Sequence, residues 1–143
     1  DSGLTLMPST AGTQTLASGP KATYNFHVFS SSTNAKVSVY LPPSFNVNPS
    51  APLRYAVALD SGNPITVTPV PSATLGDMPG NWEDTVVNGA RVVSTNLGKL
   101  TFGPHELSIW LLEPGTVVHR LVLDLGGVKS SYLGPPESTK VGF

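Results

Sequence analysis

The sequence predicts an all-β fold, an antiparallel jelly-roll-type β-sandwich with one short helix near residues 82–88. Three observations carry that expectation. Apolar and polar residues alternate along several short runs, the period of a strand with one buried face. Gly and Pro, 14 of each in 143 residues, supply turns between those runs. Strands do not alternate with helices, which argues against a parallel sheet built on crossover helices.

The elements follow in order. Gly3-Leu4-Thr5-Leu6-Met7 reads as an edge strand. Residues 22–29 place Tyr24, Phe26 and Val28 on one face, and 35–41 do the same with Val37, Val39 and Leu41. Pro42-Pro43 ends that strand. Residues 53–59 carry Leu53, Tyr55, Val57 and Leu59 on one face, and Asp60-Ser61-Gly62-Asn63 turns them into Ile65-Thr66-Val67 as a hairpin. Residues 69–80 hold three Pro and two Gly and read as loop. Asn81 is placed to cap a helix over 82–88, with Asp84 reaching back from its third position and Trp82, Val86 and Gly89 on one side. A strand follows at 90–96. Residues 105–113 and 117–124 then form a hairpin across Glu113-Pro114-Gly115-Thr116. Leu107, Ile109 and Leu111 share one face, opposite Ser108, Trp110 and Leu112; His119, Leu121 and Leu123 oppose Val118, Arg120 and Val122. The tail from Gly126 is turn-rich.

Composition narrows the function. Eight Lys and Arg against nine Asp and Glu, scattered along the chain, form no polybasic face for nucleic acid. No apolar run approaches the ~18 residues of a membrane-spanning helix. With no Cys, disulfides and thiolate zinc sites are excluded. One domain, 1–143, is expected. The chain starts at Asp1 without an initiator Met or a signal-like stretch, so it reads as a mature product or a piece of something longer.

Catalytic chemistry is poorly represented. His27, His105 and His119 have no metal-ligand spacing and read as structural. No Gly-x-Ser-x-Gly elbow or phosphate-cradling Gly-rich loop is present. Nine carboxylates make some pair inevitable, so a glycosidase pair is not signalled. No cofactor is expected. Calcium stays open, because Asp60, Asp77, Glu83 and Asp84 lie in or beside loops.

Sugar binding is better represented. Rings stack on the apolar faces of sugars while polar groups hold the hydroxyls, so the candidates are aromatics off the core face. Trp110 and Tyr40 point away from the apolar side of their strands, and Arg54, Arg120 and His27 could join them if those strands share one sheet. The competing reading buries Trp110 with Leu112 under loops. A second location, at a loop end, would use Trp82, Asp60 and Tyr132; the competing reading makes Trp82 a plug over the end of the sandwich.

The last third adds a resemblance. Gly103-Pro104-His105-Glu106-Leu107-Ser108-Ile109-Trp110 leads through Glu113-Pro114-Gly115 and Gly126-Gly127 to Ser131-Tyr132-Leu133-Gly134-Pro135-Pro136-Glu137-Ser138. That order resembles the C-terminal domain of the glycoside hydrolase family 115 α-glucuronidases. Tyr55 to Gly62 looks like a hairpin of that domain and Trp82 to Asn88 like one of its turns, although Asp60-Ser61 stands where the family often has two acidic residues. The resemblance covers roughly residues 53–138. It implies an accessory module of a multidomain enzyme that removes glucuronic acid side chains from xylan, with the catalytic carboxylates elsewhere. Its implied partners are a xylan-type polysaccharide and the catalytic domains of the parent enzyme. Its implied location is extracellular. The alternative is a purely structural domain that packs on the catalytic core or mediates dimerisation.

Overall fold

Period-two runs become strands, and their phases decide which face each side chain joins. The computed structural model describes residues 3–71, 77–129, 131 and 134–140. Its strands are β1 (Leu4–Thr5), β2 (Lys21–Val28), β3 (Ser32–Leu41), β4 (Tyr55–Leu59), β5 (Ile65–Val67), β6 (Arg91–Leu100), β7 (Gly103–Leu111), β8 (Val117–Val118) and β9 (Arg120–Asp124), with helix α1 (Trp82–Val87) between β5 and β6. One sheet has the order β2-β7-β4-β5 and the other β6-β3-β9; β1 pairs with β8 as a short ribbon. Every pairing is antiparallel. The expected all-β antiparallel sandwich with one short helix is therefore present.

The inner faces meet as the alternation requires. Val37, Val39 and Leu41 of β3 pack against Tyr55 and Val57 of β4 and Leu107, Ile109 and Leu111 of β7, joined by Leu6 and Val118. A smaller cluster of Val28, Ala35 and Leu100 gathers Phe26, Leu59 and Leu123 at the other end. Each large apolar side chain buried this way contributes roughly 1.5–3 kcal/mol by leaving water. The 60–64 turn closes the β4–β5 hairpin as expected, with Tyr55 opposite Val67.

Three expectations change. The 105–113 and 117–124 segments are not a hairpin: β7 already has β2 on one edge and β4 on the other, so the chain crosses to the second sheet and β9 pairs with β3. Val118 does not share a face with Arg120 and Val122. It sits in the core at 4% exposure, while Arg120 lies opposite Tyr40, and the alternation breaks at His119, whose N–H donates to the Tyr40 carbonyl at 2.8 Å. Asn81 is not a side-chain cap. It adopts the left-handed region (φ 65°, ψ 22°) and makes no side-chain capping bond. Its carbonyl instead accepts from the Thr85 N–H at 3.0 Å and the Thr85 hydroxyl at 2.7 Å. Thr85 is the residue the helix buries, and Val86 is 51% exposed.

Candidate functional site

Of the seven residues singled out from sequence, the six that are described do not assemble into one site. Trp110 follows the core residue Ile109 and so lies on the outer face of the four-stranded sheet. Tyr40 follows the core residue Val39 and lies on the outer face of the other sheet, beside Arg120. The shared sheet face expected for Trp110, Tyr40, Arg54 and Arg120 is thus split across opposite sides of the sandwich. The loop-end group is split as well. Trp82 stacks on Phe45 (4.2 Å between centroids, 27° between planes), just past the Leu41 end of β3. Asp60 bonds His105, which stacks on Phe26 at the other end of the core. Tyr132 lies outside the described residues.

Around Trp110 the register defines a surface. Lys21, Trp110, Ala56 and Thr66 are successive cross-strand neighbours from β2 to β5. The next row holds Thr23, Ser108 and Ala58. The floor residues Ala56, Ala58 and Ser108 are buried, whereas Trp110 is half-buried and Lys21, Thr23, Asn25 and Thr66 are exposed. The Lys21 ammonium stands 5.4 Å from the indole centroid, a cation–π contact. The Thr23 and Ser108 hydroxyls are 3.4 Å apart, and Ser108 donates to Glu106 at 3.2 Å. An indole with an apolar floor, ringed by hydroxyl, ammonium and carboxylate groups, can stack on a sugar and hydrogen-bond its edges. The reading that buried Trp110 completely with Leu112 is corrected, since only Leu112 is in the interior.

Around Tyr40 the surface is concave. A groove of about 900 Å³ runs between α1, the start of β6 and the C-terminal segment, lined in part by Tyr40, Asn81, Asp84, Asn88, Arg91 and Lys129. Arg120 donates from Nη1 to the Pro135 carbonyl at 3.4 Å. Gly134 has φ +73°, and a Cβ on it would stand 3.1 Å from the Tyr40 hydroxyl oxygen and 3.2 Å from Arg120 Nη1. The tail therefore rests closely on the Tyr40–Arg120 pair. Arg91, which sequence reasoning passed over, is only 7% exposed. Its signal was legible: it shares the phase of Val93 and Leu97, both packed on the core.

Arg54 has a structural partner. Its Nε donates to Glu113 Oε1 at 3.1 Å, its Nη2 donates to the same oxygen, and Thr13 donates to Oε2 at 2.8 Å. Glu113 is 2% exposed, so the guanidinium neutralises a buried carboxylate at the crossover between sheets.

At the Asp60 end, His105 Nδ1 meets Asp60 Oδ2 at 2.8 Å and its Nε2 meets the Thr101 carbonyl at 3.0 Å. The Glu106 N–H donates to Asp60 Oδ1 at 2.9 Å. With an acceptor at each ring nitrogen, the imidazolium is the form that satisfies both. The Asp60 bond raises the His105 pKa above its ordinary value, with the Thr101 carbonyl and the Asp60 charge adding to it against desolvation. Burial works to raise the Asp60 pKa, but the Glu106 N–H and His105 together bring it below the usual range. Beside this pair, His27 contacts the rings of Phe29 (4.8 Å) and Phe102 (5.2 Å), which are 82% and 64% exposed. Neither ring was singled out from sequence: Phe29 closes the 22–29 run, one residue past the end of β2, and Phe102 belongs to no periodic run. Among the described residues no group of three His, Asp or Glu is placed to hold a metal ion.

Comparison with known proteins supplies the family. The family model described as the glycosyl hydrolase family 115 C-terminal domain matches residues 1–137. The match extends back well beyond the 53–138 region that carried the resemblance. A solved structure, described as a novel family GH115 4-O-methyl-alpha-glucuronidase, BtGH115A, with specificity for decorated arabinogalactans, has a TM-score of 0.64 at 18% identity. The alignment covers 89% of this chain and 16% of that one, a likeness of fold. No curated protein matches the chain.

Proposed function

The chain belongs to the glycosyl hydrolase family 115 C-terminal domain family, and on that premise we propose that it is a non-catalytic, carbohydrate-binding module of a xylan α-glucuronidase. Its ligand in this reading is glucuronoxylan or its uronic-acid-substituted oligosaccharides, met outside the cell. The chain is then the C-terminal part of a larger multidomain enzyme, and turnover belongs to the other domains. One observation carries the reading: the half-exposed Trp110 indole on an otherwise small and polar sheet face. The indole stacks on a xylose ring, Lys21 pairs with a uronate carboxylate, and Thr23 and Glu106 hold hydroxyls. Calorimetric titration with glucuronoxylan oligosaccharides tests it. Binding that Trp110→Ala abolishes supports the reading; no heat at millimolar ligand removes it.

A second reading has its own observation. Phe29 and Phe102 expose two large rings at one end of the sandwich, and aromatic side chains are enriched at protein interfaces. In this reading the domain packs through them on the catalytic core or on a second subunit. Phe29→Ser with Phe102→Ser would then lower the melting temperature or the dimer fraction of the parent enzyme. Unchanged stability and assembly count against it.

A further inference from the structure

The groove beside Tyr40 is lined by a guanidinium that the described residues satisfy only in part. Arg91 is 7% exposed, and its Nε is buried with no hydrogen-bond partner among the described residues. Its Nη2 has one long contact, 3.5 Å, to the Gly80 carbonyl. The described ion pairs are Arg54–Glu113 and His105–Asp60, so Arg91 belongs to neither. Asp84 is the carboxylate among the groove-lining residues, and it does not close on Arg91. Desolvation lowers the Arg91 pKa, consistent with a cation short of compensation. A guanidinium offers five N–H donors in a plane. Buried donors left without acceptors are costly, and a carboxylate matches the planar fork better than any neutral acceptor.

The other lining groups define the rest of the ligand. Lys129 adds a second positive charge, so the lining carries Arg91 and Lys129 against Asp84. Asn81 and Asn88 offer amides that both donate and accept, and Asp84 offers an acceptor for hydroxyls. At about 900 Å³ the groove has room for a monosaccharide or longer.

We infer that this groove is a sugar-acid site, with Arg91 taking the carboxylate and Asn81, Asn88 and Asp84 the hydroxyls. It lies where α1 and the start of β6 meet, Trp110 is not in its lining, and it stands independently of the Trp110 face.

The test titrates the 143-residue chain with sodium glucuronate, methyl glucuronate ester, glucose and inorganic phosphate, following the Arg91 Nε–H resonance by nitrogen-15 NMR. Glucuronate shifts that resonance and binds about tenfold or more tightly than the ester or glucose. Two variants at exposed positions report the charge balance: Lys129→Gln weakens glucuronate about two- to fivefold, and Asp84→Asn tightens it. With Trp110→Ala the glucuronate-induced shift of the Arg91 resonance remains, whatever becomes of binding at the other face. The inference is overturned if ester and acid bind alike, or if phosphate binds as tightly as glucuronate. It is equally overturned if glucuronate leaves the Arg91 resonance in place, or if Trp110→Ala removes that shift. Failure of xylan to bind at Trp110 would leave the groove result standing.

Discussion

His105 and Asp60 are the pair whose chemistry pH controls. The His105 pKa is raised in the folded state, so its contribution to stability is complete below the ordinary imidazole value of 6.5 and is lost as pH rises through the folded value. The Asp60 pKa is lowered, so its contribution is present above 3.8 and is lost as pH falls through the folded value. The two overlap between 3.8 and 6.5. The melting-temperature gap between wild type and His105→Gln is therefore expected to be widest near about pH 5 and to narrow by about pH 9. A gap that stays constant across that range would contradict the doubly bonded imidazolium. Arg54 gives a second expectation. Arg54→Leu strands the buried Glu113 and costs about 1.5–3 kcal/mol, toward the low end because Arg54 is 32% exposed in its side chain. Urea unfolding measures it, and Glu113→Gln in the same background should recover part of the loss. Asp60 was legible in sequence as an acid in a turn, and Arg54 as a cation near a strand. Their partners were not, because His105 and Glu113 lie 45 and 59 residues away.

At the scale of elements, helix α1 shows where local signals and packing part company. Asn81 reads as a cap by residue type, and Asn is among the residues that tolerate the left-handed region. The backbone uses the second property. Asn81→Gly is therefore expected to be neutral or mildly stabilising, while Asn81→Val, β-branched at φ 65°, costs about 1–3 kcal/mol. Chemical denaturation of the two variants checks the sign of each. Equal stability would mean that the helix start relaxes to another conformation. The same limit applies to the last strands. Residues 105–111 and 117–124 were legible as strands by their alternation, but a short Pro-Gly connection does not determine which strand edge the chain reaches. β7 was already paired on both edges, and that excluded the hairpin.

For the whole molecule, the candidate surfaces are spread over the fold rather than gathered in one pocket. Tyr40 of the Arg91 groove and Trp110 belong to different sheets, and the Phe29–Phe102 rings stand at the far end of the β2–β7 pair from Trp110. Both Trp residues are half-buried, so fluorescence alone does not separate them. The Trp82→Phe variant isolates Trp110. In that variant, glucuronoxylan oligosaccharides are expected to protect the remaining emission from acrylamide quenching. Emission that stays equally quenchable with and without oligosaccharide would count against stacking on Trp110. The Phe29→Ser and Phe102→Ser pair should leave this protection unchanged, because those rings stand on another part of the surface.

Sequence by itself determined the strand-rich class, the single short helix, the β4–β5 hairpin and the family resemblance. Each is written in local periodicity, in turn residues or in contiguous motifs. It also placed Trp110 and Tyr40 off the apolar faces of their own strands, since alternation is a property of one strand. Only the tertiary structure decided that the two rings lie on opposite sides of the sandwich, that Arg54 neutralises Glu113 and that Arg91 lines a groove outside the described ion pairs. Those facts depend on which strands pair and which edges are already occupied. Pairing joins residues far apart in the chain, where a one-sheet or two-sheet arrangement leaves the same local pattern.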